Sequence, residues 1–165
     1  MRKFSRFALL VFAFLFALSS CGGKEKSTSD MLEAVLSEIE KLPEGSFIRA
    51  GSVEGSDEYL SEELCTTLYG ERAVSDIFSL IEDFAIYLCS FEYPFEVAIF
   101  KCYSRSDTDS VAEMCFLRGD VVKVLLHSEG INDVSLRVAR KGRYVFMYIG
   151  KEPQEAVRAF GYAMR

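Results

Sequence analysis

The search for chemistry begins with His127, the single histidine of the chain. A catalytic imidazole needs a positioned partner, and a metal site needs Cys, His or carboxylate ligands at matching spacing. Neither lies near His127 in sequence. Asp107-Thr108-Asp109 matches the opening of an EF-hand loop. Ala112 then stands where that loop needs glycine, and Arg118 where it needs its closing glutamate, so calcium is excluded there. Asp57, Glu58, Glu62 and Glu63 form an acidic run. Acids at a helix start are favoured by the helix dipole, and a solvated helix entry is the simpler reading. No G-x-S-x-G, S-x-x-K, P-loop or G-x-G-x-x-G pattern occurs. No catalytic, metal or cofactor-binding residue is therefore assigned.

Cys21 is different, because its surroundings give its thiol a role. The run from Phe7 to Leu18 is unbroken and apolar, and Leu18-Ser19-Ser20-Cys21 follows it. Arg2, Lys3 and Arg6 precede it with no acid between them. A basic start, an apolar middle and small residues at the end are the parts of an export signal. The run has 12 residues, roughly 18 Å of helix. Spanning a bilayer takes about 20 residues, so a transmembrane helix is not expected. An ordinary secretory signal would leave a cysteine at the junction unexplained. The tail resembles a bacterial lipobox, which implies cleavage after residue 20 and a diacylglycerol on the Cys21 thiol.

Cleavage before Cys21 would leave 145 of the 165 residues, enough for one domain with its own core. The chain has 19 basic and 25 acidic residues, and losing three basic ones takes the net charge from −6 to −9. So acidic a body is unsuited to nucleic acid, whose binding rests on phosphate contacts. It is equally unsuited to holding an anionic membrane by its surface, which leaves that task to the lipid.

The elements follow from periodicity. Residues 21–29 are small and polar and read as a tether, with a single globular domain over 30–165. Asp30 with Glu33 suggests a capped helix carrying Met31, Leu32, Val35, Leu36, Ile39 and Leu42, stopped by Pro43. Residues 44–57 read as loop. A second helix is expected over about 58–69, ended by Gly70, and residues 71–83 are ambiguous with a short helix. Phe84–Phe91 and Phe95–Tyr103 read as a hairpin. Ser110 with Glu113 suggests the start of a long helix to about Leu126, weakened by Gly119 at about 1 kcal/mol. Val134–Ala139 and Arg143–Ile149 form a second hairpin turned at Lys141-Gly142. Both faces of its second strand are apolar, so that strand is expected to be central. Pro153 opens the last helix. The sum is an α+β fold, ββαββα, with an antiparallel sheet of about four strands packed by helices and preceded by N-terminal helices. The two ββα units suggest an internal repeat, without sequence identity between them.

Two sets of charges need a position in this frame. Arg118 lies on the apolar stripe Val111, Met114, Cys115, Val122 and Leu125, where a bare charge is costly. A structural ion pair with an acid at a strand start is expected, and Glu96 is the candidate. The same position in a helix argues against reading Arg118-Gly119-Asp120 as an adhesion tripeptide. Arg137, Arg140, Lys141 and Arg143 make a basic patch at the second hairpin tip, for edge protection or for meeting an anionic polymer or lipid head. Cys65, Cys89, Cys102 and Cys115 form no C-x-x-C pair and sit in apolar segments, as small hydrophobes do. A turn at Glu92-Tyr93-Pro94-Phe95 sets Cys89 opposite Ala98 and Cys102 opposite Ala85. The two are then roughly 13 Å apart along the strand, too far for a disulfide.

These pieces resemble a bacterial lipoprotein family known only as a domain of unknown function, found mostly in Gram-positive bacteria. The likeness rests on the lipobox, Leu68-Tyr69-Gly70, residues Glu96 to Lys101, Arg118 in the next helix, and Gly142 to Ile149 before a helix. It implies a small extracytoplasmic domain at the cell membrane and no activity. The expectation is a lipid-anchored domain of the cell envelope with a non-enzymatic binding or scaffolding role. The alternatives are an envelope enzyme whose site is assembled from distant polar residues, and an assembly or stress factor bound to a membrane protein. An exposed apolar patch would favour the last.

Overall fold

The structure, a computed structural model, describes residues 26–89 and 95–165. The signal run, Cys21 and the Glu92-Tyr93-Pro94 turn lie outside these residues. Among the described residues there are four α-helices: α1 (Thr28–Ser37), α2 (Glu62–Tyr69), α3 (Thr108–Ser128) and α4 (Pro153–Ala163). Five strands form one antiparallel sheet: β1 (Gly45–Arg49), β2 (Ile81–Cys89), β3 (Glu96–Cys102), β4 (Ser135–Lys141) and β5 (Tyr144–Gly150), in the order β1-β2-β3-β5-β4. The class is α+β. A fifth strand joins the four expected, from a stretch read as loop. Only Ile48 of β1 is buried, so its sequence lacks the alternation of a half-buried strand. Pairing to β2 makes it an edge strand nonetheless.

The sheet is covered on both faces. Ala85, Tyr87, Val97, Ile99, Phe146 and Tyr148 point to α1 and α4. Ile86, Ala98, Phe100, Val145, Met147 and Ile149 point to α2 and α3. A strand apolar on both faces must be central, and β5 lies between β3 and β4 with all seven residues buried. The helices of the two ββα units lie on opposite faces. A rotation relating neighbouring antiparallel hairpins preserves the faces, so the units are not structural copies.

Helix starts are moved by local caps. Ser27 Oγ accepts from the Asp30 amide, so Asp30 is inside α1 and not its cap. Ser61 Oγ accepts from the Leu64 amide, starting α2 after the acids at 57–58. Helix α3 begins at Thr108, two residues before the expected capping box. Residues 26–29, read as tether, belong to the folded body: Lys26 Nζ donates to the Ala163 carbonyl, and Thr28 is fully buried. The second hairpin turns at Gly142-Arg143, one residue later than expected, because Lys141 pairs with Tyr144. Gly142 alone takes a positive φ there, as suits a turn with glycine first.

The β2–β3 register also differs. Tyr87 pairs with Val97 and Ala85 with Ile99, so Cys89 is not opposite Ala98. Partners on an antiparallel pair share a face. The expected register would have paired residues of one face with those of the other, and the buried faces forbid that slip. Cys102 now pairs with Ile81, eight residues before Cys89. The separation grows to about 26 Å along the strand. Burial pushes the thiols of Cys65, Cys89 and Cys102 up to about 11, so they stay protonated and pack as apolar groups. Non-reducing peptide mapping of protein taken from the envelope should yield no Cys89–Cys102 peptide. Its recovery would contradict this register.

Candidate functional site

Arg118 and Glu96 are brought together between β3 and α3. Arg118 Nε and Nη2 both lie 2.9 Å from Glu96 Oε2. The other carboxylate oxygen accepts from the Tyr69 hydroxyl at 3.0 Å. Arg118 is 9 % exposed and Glu96 2 %. The charges cancel in a buried site, and both carboxylate oxygens are satisfied, as a buried ion requires. Tyr69 was not foreseen as a member; Leu68-Tyr69-Gly70 at the end of α2 was its only signal. Burial first, and then the Glu96 carboxylate, hold the Tyr69 phenol well above its usual range. The trio ties α2 and α3 to the sheet.

The other sequence candidates are dispersed. His127 Nδ1 lies 2.6 Å from Asn132 Oδ1 on an exposed helix end. Glu62 and Glu63 open the first turn of α2, and Glu58 faces Arg49 at 3.8 Å. The basic patch is largely engaged within the protein. Arg140 pairs with Asp109, and Arg143 reaches Glu82 at 2.5 Å and the carbonyls of Cys102 and Tyr103. Glu82 also accepts from Lys101 at 2.8 Å, and that bond, ahead of Arg143, lowers its carboxyl below the usual range. Among the described residues, no group of three or more His, Cys, Asp or Glu could hold a metal ion. No helix among them is long and apolar enough to cross a membrane.

A groove of about 910 Å³ lies at the end of the sheet where β5 finishes. Four separate stretches line it: the run after α1, Phe95 before β3, the α3–β4 connection, and the end of β5 with the β5–α4 turn. Phe95 and Tyr148 form its aromatic part, edge to face with centroids 5.5 Å apart. Tyr148 is 3 % exposed; its hydroxyl bonds to no described residue and is not among the polar atoms sealed from solvent, so it opens onto the groove. Gly150 makes its place: a Cβ there would stand 2.6 Å from the Tyr148 hydroxyl oxygen. Burial, then Glu152 and Glu155, push that phenol up to about 12, so it remains protonated at neutral pH. Lys151 is held by Asp133 at 2.6 Å. Sequence reading missed this groove because its residues come from loops and element ends far apart in the chain. The spacing Tyr148-Ile149-Gly150 was its only local trace. Among the described residues the lining contains no serine, cysteine or histidine, and so none of the usual nucleophile–base pairs.

A second surface lies on α3. Leu117, Val121, Val124 and Leu125 are exposed along one side of its C-terminal half. Met114, on the same side one turn earlier, is buried beside α2 and the Ala73–Ile77 turn. The expectation that Leu125 faces the sheet is not met: it is 43 % exposed. No known protein family, no curated protein and no solved structure matches the chain.

Proposed function

We propose that the protein is a lipid-anchored extracytoplasmic binding domain, held at Cys21 and presenting its groove away from the membrane. The family it resembles, a lipoprotein group of the cell envelope, suits that reading. The carrying observation is the separation of the two ends. Lys26 is the first described residue, and its carbonyl accepts from the Tyr144 hydroxyl. Tyr144 begins β5 and Gly150 ends it beside the groove, about 20 Å away along the strand. Four residues lie between Cys21 and Lys26, five Cα–Cα steps with a reach of at most about 18 Å. A lipid on Cys21 therefore keeps the Tyr144 pole near the bilayer and leaves the groove at the outer pole. Replacing Cys21 with serine tests the anchor. The variant is expected in the soluble extracytoplasmic or secreted fraction. A protein that stays membrane-bound with its signal removed would refute lipid anchoring.

A second reading, docking to another envelope protein as an assembly factor, is favoured by one feature. The apolar side of α3 lies across the sheet from Lys26 and toward the outer pole. A bilayer bound at the other end would not cover it, whereas a protein partner would.

A further inference from the structure

We propose that the groove binds an organic cation bearing an ammonium group, seated against Tyr148 between Glu152 and Glu155. This rests on the reading of the domain as a binding module and names the class of ligand. The hydroxyl of Tyr148 is the anchor point. The hydroxyl opens onto the groove, where water completes its hydrogen bonding until a ligand takes that place. Its oxygen can accept an N–H from an ammonium in place of that water.

The surrounding charge selects the sign. Lys151 is occupied by Asp133. Glu40, Glu152 and Glu155 have no ion pair among the described residues, against one such cation in the lining, Lys41. Glu152 and Glu155 lie close enough to Tyr148 to act on its ionisation, so their charge is felt at the hydroxyl. The helix dipole alone explains acids at the start of α4. It does not explain the Gly150 gap that lets the hydroxyl reach the groove. The absence of a cluster of metal ligands among the described residues turns the choice from a metal ion to an organic cation. An anion would meet three carboxylates, and an uncharged apolar ligand would leave them without a role.

The test is calorimetric titration of the full lipidated protein, in nanodiscs of neutral phosphatidylcholine, with spermidine as the probe. Saturable binding at one site per chain is expected. Tyr148→Phe should weaken it about tenfold, as loss of a hydrogen bond to a charged group does. The pair Glu152→Gln and Glu155→Gln should weaken it to a similar degree. Val124→Ser, on the opposite face, should leave it unchanged. None of these substitutions removes a contact that holds the core, and equal melting temperatures check that. Non-saturable binding, or binding unchanged in both groove variants, overturns the proposal. Citrate and N-acetylglucosamine separate the two levels of failure. If either binds in a Tyr148-dependent way while spermidine does not, the cation class falls and the binding module stands. If none of the three binds, the cation proposal falls and the binding reading loses its groove.

Discussion

Replacing Arg118 with alanine is expected to destabilise the domain by about 3–5 kcal/mol, the usual cost of removing one member of a buried ion pair. Glu96 would remain in its 2 % exposed position with only the Tyr69 hydroxyl as partner. For a chain of this size the melting temperature should fall by roughly 10–15 °C. The size of the loss reflects the charge left behind, not the worth of the pair. Replacing Arg118 by methionine and Glu96 by leucine together should therefore recover much of it, since well-packed apolar residues often substitute for a buried pair at little cost. Arg118→Lys should fall between, because one ammonium does not reproduce the two nitrogens that meet Glu96 Oε2. Thermal melts of residues 26–165 followed by circular dichroism measure all three. A melt of Arg118→Ala equal to that of the parent would mean that the arginine escapes to solvent and the pair carries no stability.

Gly119→Ala is expected to lower stability, although the intrinsic preference predicts the opposite sign. Alanine in place of a mid-helix glycine is normally worth about 1 kcal/mol. Here the added Cβ would lie 2.3 Å from Leu136 Cδ2, 2.6 Å from Cδ1 and 2.9 Å from Cγ. Leu136 is 9 % exposed within the core between α3 and β4, so it has little room to turn aside. Overpacking of this kind costs about 1–3 kcal/mol, which outweighs the gain. A net loss of about 1–2 kcal/mol in urea unfolding is expected. In a Leu136→Ala background the clash is gone and the same substitution should stabilise. A gain in the parent protein would show that α3 can lift from the sheet at no cost. Glycine at this position thus sets the approach of α3 to β4, and its poor helix propensity is the accompanying cost.

The sequence alone determined what depends on neighbours along the chain. The apolar run and small residues before Cys21 define the lipobox resemblance without reference to a fold. The stripe of α1, the Gly70 exit of α2, the second hairpin and the proline at the start of α4 all follow from local spacing. The partnership of Arg118 with Glu96 was legible for a related reason: a charge on an apolar stripe requires an opposite charge, and few acids lay at a strand start facing it. Distant contacts decided the rest. Gly45–Arg49 becomes a strand only because β2 offers it an edge. The β2–β3 register follows from which face of each strand meets α1 and which meets α3, a choice no turn residue could make. Tyr69 joins the ion pair because α2 folds back over Glu96. The groove exists only where four separated stretches converge, and the Tyr148 hydroxyl reaches it because Gly150 has no side chain to block it.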